Sequence, residues 1–216
     1  MGWGAFAAAQ RTYIYNEPEV LYKSALELYQ KQKYSSAFEG FEEYLRHTAS
    51  DSRNHISSAK YFQAACATEL FHNNAEGLLL SFLRDYPESP MTSNAHFQLG
   101  RVYFRDKKFS KALTNFGEVQ ENVLSRDEWY EYQYKMGYCH YEADHYKEAL
   151  EKFKKIKDSK SMYSVPATYY YAHLQYIFKN WNEALENFRK IENEKAFKGL
   201  VPYYIAQIDY WQKKYN

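Results

Sequence analysis

Residues 136–153 read MGYCHYEADHYKEALEKF, and 37 positions earlier residues 99–116 read LGRVYFRDKKFSKALTNF. A glycine, a central aromatic residue, an alanine and a final phenylalanine stand at the same offsets in both segments. Apolar residues three and four positions apart, such as Ala149, Phe153 and Ile156, predict a helix over the end of the segment. The two segments therefore predict one structural unit that repeats along the chain.

The alanine and the phenylalanine recur over most of the chain. Successive alanines are 38, 37, 37 and 35 residues apart, and a second small residue stands twelve positions before each clear copy. Two small residues facing each other let antiparallel helices approach closely, so each copy predicts a helix pair. The turns are expected near residues 31–35, 72–74, 106–109, 143–146 and 179–181. The clear copies are Ala37 with Phe41, Ala112 with Phe116, Ala149 with Phe153 and Ala184 with Phe188, preceded by Ala25, Gly100, Gly137 and Ala172; the degenerate copy has Ala75 with Leu79, and Ala64 stands eleven positions before Ala75.

Prolines and capping residues mark the ends of the predicted helices. Ser125 followed by Glu128, and Asn16 followed by Glu19, have the spacing of a capping box at a helix start. Proline is tolerated in the first turn of a helix but not in its interior. The predicted helix starts at Pro18, Pro166 and Pro202 and the break at Pro87 and Pro90 agree with the pattern.

The third copy carries Leu99, Gly100, Tyr103, Ala112 and Phe116 at the spacing of a tetratricopeptide repeat, a family that this chain resembles over about residues 17–216. The resemblance implies an all-α fold, a right-handed superhelical solenoid of antiparallel helix pairs with about five and a half units. Residues 10–216 are expected to form a single array. Its units cover about residues 17–52, 56–90, 93–125, 128–162, 165–198 and, in part, 200–216.

Composition excludes several classes of protein. The chain has 28 basic and 27 acidic residues and a formal charge of +1, which argues against an electrostatic nucleic-acid binder. No stretch approaches the roughly 18 consecutive apolar residues of a membrane-spanning helix. Cys66 and Cys139 fall two residues past small sites, which predicts two buried, free thiols. No phosphate-binding loop, nucleophile motif or metal-ligand spacing is present, so we expect a non-enzymatic protein without cofactor or metal.

The N-terminal stretch WGAFAAAQ, residues 3–10, is apolar and ends in three alanines. It is similar to the end of a secretory signal peptide, so residues 1–9 are interpreted as a signal-peptide remnant. That interpretation places the protein in the periplasm or cell envelope, and it agrees with a similarity to repeat proteins of bacterial outer-membrane assembly. An ordinary alanine-rich helix start, with a cytoplasmic protein, is the alternative.

In the family, the first helix of each unit lines a concave face that binds peptides or partner helices. Positions seven residues apart on a helix share one face. In most of the predicted first helices of this chain, one such pair of positions is aromatic. The resemblance therefore predicts partner contacts on this face, and packing against the adjacent helix is the alternative. Arg101 and Arg105 resemble the basic pair of a carboxylate clamp, although the clamp's other residues are missing and a solvated face is the preferred interpretation. The candidates are Tyr22, Tyr29, Phe97, Arg101, Phe104, Arg105, Tyr134, Tyr138, Tyr141, Tyr169, His173, Tyr176, Tyr203 and Tyr210.

These features predict an interaction scaffold that binds a protein or peptide on its concave face, within a bacterial envelope complex. One alternative is a carbohydrate-binding or docking module of an outer-membrane uptake system, because tyrosine and tryptophan rings can stack on sugars. Another is the docking arm of a larger multidomain protein. The segment YYIAQIDYWQKKYN, residues 203–216, has the first helix and turn of a unit without its second helix. It is therefore also a candidate for self-association.

Overall fold

The computed structural model describes residues 18–48 and 53–212, which form eleven α-helices, one 3-10 helix and no strand. The all-α prediction is confirmed for these residues. None of the described helices combines the length and the apolar character needed to span a bilayer. The proposed signal remnant lies outside the described residues. The helices are α1 (Pro18–Gln30), α2 (Tyr34–His47), α3 (Arg53–Glu69), α4 (Ala75–Asp85), α5 (Thr92–Arg105), α6 (Phe109–Gly117), a 3-10 helix (Glu121–Val123), α7 (Arg126–Glu142), α8 (Tyr146–Lys154), α9 (Ser164–Ile177), α10 (Trp181–Lys190) and α11 (Val201–Trp211).

The chain divides into two compact units, with the division between Asp106 and Lys107. We call them the N-terminal unit, which contains α1 to α5, and the C-terminal unit, which contains α6 to α11. Within each unit, every helix packs against the next helix along the chain. Within each unit, paired helices are joined by short turns and form hairpins as the repeat predicts, whereas the connections between pairs are mostly longer.

The repeated alanine and phenylalanine positions form the cores of the helix pairs. In the N-terminal unit, Ala37 and Phe41 are fully buried with Ala25 and Tyr44 around them. The equivalent alanine and aromatic or aliphatic positions of the other copies are also fully buried. Burying a phenylalanine or leucine side chain contributes about 1.5–3 kcal/mol, which explains why these positions set the period. They are Ala75, Leu79, Ala112, Phe116, Ala149, Phe153, Ala184 and Phe188.

The turns between paired helices all contain one residue in the left-handed region. Each lies seven positions after the small residue of its first helix and has a φ of 58° to 61°, although none is glycine. After Gln32, Phe71, Asp144 and Lys179, the N–H of the next residue donates back to the helix, as from Lys33 to Leu28 O at 2.9 Å and from Asn180 to Gln175 O at 2.8 Å. This hydrogen bond satisfies a terminal carbonyl and offsets the backbone cost. The left-handed residues are Gln32, Phe71, Lys107, Asp144 and Lys179.

The residue spacing of the degenerate copy differs from that of the other copies only after its left-handed residue, Phe71. Ala37 N–H donates to Lys33 O four positions earlier, whereas Ala75 N–H donates to His72 O three positions earlier. The missing residue therefore tightens the start of α4 from an α-helical to a 3-10 spacing. The shorter turn predicted for this copy is confirmed.

Two glycines show how closely the paired helices approach. A Cβ added to Gly137 on α7 would lie 3.0 Å from Phe153 Cε1 and 3.1 Å from Lys152 Cβ on α8. A Cβ added to Gly40 on α2 would lie 3.0 Å from Ala25 Cβ on α1. Small residues at the point of closest approach are thus confirmed. Gly40, three positions after the repeated alanine, is a further small contact that the pattern did not predict.

The end signals of the described helices also agree with the structure. Ser125 Oγ accepts from Glu128 N–H at 3.4 Å, and Ser125 N–H donates to Glu128 Oε2 at 2.9 Å, so the predicted capping box is formed at α7. Pro18 begins α1, and Pro202 lies in the first turn of α11. The second predicted box includes Asn16, which lies outside the described residues.

Candidate functional site

In the N-terminal unit, the predicted partner-binding aromatics are mostly packed into the protein. Tyr22 is 9% exposed, and its ring stacks on His55 with centroids 4.8 Å apart. Tyr29 is half-buried against Phe62 at 4.9 Å, and burial raises the pKa of its hydroxyl. Phe97 is 1% exposed. These three rings are therefore packing residues in this structure, and partner contact through them stays a prediction.

The two arginines of α5 are engaged in the same unit. The Arg101 guanidinium pairs with the Glu69 carboxylate on α3 and its side chain is only 18% exposed. The interpretation of a solvated face is therefore wrong for Arg101. Arg105 lies over the ring of Phe71, 5.1 Å from its centroid. The remaining candidate of this unit, Phe104, is half-buried.

In the C-terminal unit, the first helices α7 and α9 meet through tyrosine rings. Tyr134 on α7 stacks on Tyr163 with centroids 5.2 Å apart. Tyr138 and Tyr141 pack against Tyr170 on α9 at 5.2 Å and 5.1 Å. All of these rings are half-buried, so part of each stays accessible.

His173 on α9 continues this contact through a hydrogen bond. Tyr141 Oη lies 3.1 Å from His173 Nδ1. Burial lowers the pKa of His173, and burial raises the pKa of Tyr141 to about 12. The imidazole is therefore neutral at neutral pH, and its tautomer sets which of the two groups donates in this hydrogen bond.

The contacts extend from α9 to α11. Tyr176 packs against Tyr204 with centroids 5.0 Å apart and donates from its hydroxyl to Gln207 Oε1 at 2.5 Å. Gln207 Nε2 in turn donates to Tyr203 Oη at 2.7 Å. Tyr169 stacks on Phe197 at 4.6 Å. A chain of rings and polar groups therefore links three successive first helices of the unit.

The accessible end of this chain lies on α11. Tyr203, Tyr210 and Trp211 are 61%, 63% and 48% exposed. Trp211 is close to Tyr176, with centroids 5.6 Å apart, so it continues the same surface. We call this surface the aromatic face and define it as Tyr134, Tyr138, Tyr141, Tyr169, Tyr170, His173, Tyr176, Tyr203, Tyr204, Gln207, Tyr210 and Trp211.

Four of these residues were not among the sequence-based candidates. Tyr170 and Tyr204 each stand two positions before the small residue of their helix, one position after a predicted residue. Each packs toward the preceding first helix. An aromatic residue at this offset in consecutive copies was the signal that could have identified them. Gln207 and Trp211 had no comparable signal.

The described histidine, cysteine and acidic side chains bear on two other kinds of site, a metal site and a reactive thiol. No group of three or more histidine, cysteine, aspartate or glutamate side chains in the described ranges could hold a metal ion. Cys66 and Cys139 are free and buried, as predicted. Burial raises the pKa of each thiol to about 12, so both stay protonated at neutral pH and are poor nucleophiles.

Comparison with known proteins identifies the repeat. A tetratricopeptide repeat family model matches residues 131–159, which span most of α7 and all of α8. A search of curated proteins gave no match. A tetratricopeptide repeat protein from Parabacteroides merdae is similar in structure, with 18% identity, a TM-score of 0.59, and 91% of this chain and 74% of that chain covered. YrrB, described as a TPR protein with an unusual peptide-binding site, has 18% identity, a TM-score of 0.62, and 92% and 96% coverage. These similarities show a helical repeat fold of the tetratricopeptide type.

Proposed function

We propose that this protein is a non-enzymatic interaction scaffold that binds a peptide or protein segment through the aromatic face of its C-terminal unit. The observation that carries the proposal is the accessible surface of Tyr203, Tyr210 and Trp211 on α11. It continues into half-buried tyrosines on α9 and α7. The repeat fold is compatible with this role, and YrrB is a structural neighbour with a peptide-binding site.

Tyrosine suits this role physically. Its ring offers a large contact area at a low cost in side-chain entropy, and its hydroxyl can hydrogen-bond to a peptide. On the aromatic face, the hydroxyl of Tyr203 is held by Gln207 and the ring of Trp211 is held against Tyr176. Such contacts hold the side chains in place before a partner arrives, which lowers the entropic cost of binding.

The chemistry of the face favours a partner segment with apolar or aromatic anchors and main-chain polar groups. Ten of the twelve residues of the face are tyrosine or tryptophan. The other two add no charge at neutral pH, because His173 is neutral and Gln207 is an amide. Charge complementarity is therefore a weak source of affinity here. Packing of anchor side chains against the rings is expected to supply most of it.

We further propose that the scaffold works in the cell envelope of a bacterium. The support is the apolar, alanine-ending stretch at residues 3–10, which is similar to the end of a signal peptide. Fractionation of cells that produce the full-length protein tests this location. Recovery in the cytosolic fraction alone would contradict it.

Photo-crosslinking tests the binding surface directly. Benzoylphenylalanine at Tyr203 or Tyr210 should crosslink a partner in envelope extracts of the source organism. The same group at Glu186, an exposed residue of α10 away from the face, serves as the control. A Tyr203→Ser, Tyr210→Ser protein used as bait should lose the same partner while keeping its helical circular dichroism spectrum.

Two results would overturn the assignment. Crosslinking at Glu186 that equals crosslinking at Tyr203 would show no preference for the aromatic face. Retention of the partner by the double serine variant would show that the exposed tyrosines contribute no binding energy.

A further inference from the structure

The strongest site outside the aromatic face is an open cleft at the turn between α9 and α10. Its volume is about 680 Å³. Four side-chain amides line it: Gln175 and Asn180 on one side, Asn182 and Gln212 on the other, with the indole of Trp181 beside them. We call it the amide cleft.

The same place in another copy provides a comparison. Residues 107–111 stand at the same offsets from Gly100 as residues 179–183 from Ala172, and they line a cleft of the same volume. The earlier cleft carries the sequence KKFSK, whereas the amide cleft carries KNWNE. The two clefts therefore share the repeated turn, and the residues that differ give the amide cleft its own chemistry.

The inner part of the amide cleft is an ordered polar network. Asn180 Nδ2 donates to Gln175 Oε1 at 2.7 Å, and Gln175 Nε2 donates to Tyr171 Oη at 3.0 Å. Tyr171 Oη donates to Glu183 Oε1 at 2.9 Å. Gln175 and Tyr171 are only 7% and 4% exposed. Because the network holds these side chains in place, their unused donor and acceptor atoms also have fixed positions.

A further acceptor lies on the other side. Gln212 Nε2 donates to Asn182 Oδ1 at 3.0 Å. Gln212 Oε1 is buried and has no hydrogen-bond partner among the residues that the structure describes. A buried carbonyl oxygen without a partner is costly, so this site favours a hydrogen-bond donor from outside the described chain.

Trp181 supplies an aromatic wall. Its ring is half-buried and held between Tyr176, with centroids 5.4 Å apart, and Trp211 at 4.8 Å. These contacts fix the indole in place. A fixed indole beside carboxamide and carboxylate groups matches a ligand with an apolar face and a rim of hydroxyls.

We propose that the amide cleft binds a saccharide, with a sugar ring against Trp181 and its hydroxyls paired with the amides and with Glu183. Sugar hydroxyls both donate and accept, as carboxamides do. An extended peptide needs apolar pockets for alternate side chains, and apart from Trp181 and Tyr171 the lining is polar or charged. Lys154, Lys179 and the Glu183 carboxylate also line the cleft, so charges of both signs surround the amides.

Isothermal titration with neutral hexasaccharides of glucose, xylose and N-acetylglucosamine tests the proposal. At least one should bind, and the Asn182→Ala, Gln212→Ala variant should bind it about tenfold more weakly, because it loses about two hydrogen bonds. Trp181→Phe, which introduces the residue that the equivalent cleft carries, should also weaken binding. Ser110→Ala, at the position equivalent to Asn182, is the matched control and should bind as the wild type does.

Three outcomes would overturn the proposal. They are the absence of binding by every hexasaccharide, binding that is unchanged in the Asn182→Ala, Gln212→Ala variant, and displacement of the saccharide by a glycine–alanine peptide with equal affinity. Circular dichroism establishes that each variant is folded. Tyr203→Ser, Tyr210→Ser should keep saccharide binding, so this site and the aromatic face can fail separately.

Discussion

The N-terminal and C-terminal units carry aromatic rings at the same positions of their first helices but use them differently. In the N-terminal unit, Tyr22 and Phe97 are 9% and 1% exposed. In the C-terminal unit, Tyr203, at the equivalent position of α11, is 61% exposed, and Tyr210, seven positions later on the same helix, is 63% exposed. The repeat pattern therefore specifies where a ring stands on its helix, while the surroundings of that helix decide whether the ring is packing or surface.

The polar contacts between first helices also differ between the two units. In the N-terminal unit, the Arg101–Glu69 ion pair ties α5 to α3. In the C-terminal unit, first helices are joined by neutral hydrogen bonds, from Tyr141 to His173 and from Tyr176 to Gln207. The neutral contacts leave a surface suited to apolar anchors, whereas the charged pair strengthens a structural contact.

The largest expected effect comes from truncating one ring in each unit. Tyr22→Ala should lower the free energy of unfolding by about 3 kcal/mol or more, because it removes a buried ring and leaves a cavity. Tyr203→Ala should change it by less than about 1 kcal/mol, because the ring is mostly exposed. Urea unfolding followed by circular dichroism measures both. Equal losses would remove the distinction between the two units.

Close helix approach in the C-terminal unit predicts the next effect. Gly137→Val should destabilise the protein by about 1–3 kcal/mol, because its Cβ would be pressed against Phe153 and Lys152. Gly77 on α4 has no atom within 4 Å of an added Cβ. Gly77→Val is therefore the matched control and should be neutral or slightly stabilising, since valine is the better helix former. Thermal unfolding of both variants decides the comparison.

The ion pair of the N-terminal unit should contribute less. Arg101→Gln is expected to destabilise the protein by about 1–2 kcal/mol, because a half-buried carboxylate loses its partner. Lys23→Gln removes the exposed pair with Glu19, whose side chains are 71% and 50% exposed, and should have a smaller effect. A double-mutant cycle with Glu69→Gln isolates the pair. A coupling energy near zero would show that the pair does not stabilise the fold, and Arg101 would again be a candidate for partner binding.

The smallest expected effect is a pH dependence in the C-terminal unit. Burial lowers the pKa of His173, so the unfolded chain binds a proton there at a higher pH than the folded chain does. The stability from neutral His173 is present above the unfolded pKa of about 6.5 and falls as the pH decreases toward the lower folded pKa. Thermal unfolding between about pH 7.5 and pH 5 should therefore show a smaller decrease for His173→Gln than for wild type. Glutamine keeps an acceptor for Tyr141, and identical pH profiles would contradict this role.

The sequence predicted the helix pairs, their turns and much of the core correctly. Ala37 with Phe41 and Ala149 with Phe153 are buried where the period placed them, and Ser125 forms its capping box. The missing turn residue before Ala75 was also found from spacing alone. These features depend on residues close together in the chain, where periodicity and capping chemistry act directly.

The candidate site was only partly predictable. Tyr134, Tyr141, Tyr169 and Tyr176 lie on the aromatic face, but Tyr170 and Tyr204 complete it and were missed. Arg101 was interpreted as solvated, and the structure pairs it with Glu69, 32 residues earlier. Contacts between residues so far apart in the chain depend on how helices from different copies pack against each other. The residue pattern within a single helix does not contain that information.

By itself, the sequence determined which segments become helices, where they turn and which small residues let the pairs close. Only the tertiary structure decided which tyrosines are core and which are surface, and which polar groups meet. The physical reason is that helix formation and capping are set within a few residues, whereas the exposure of a ring depends on every neighbouring helix that excludes water from it.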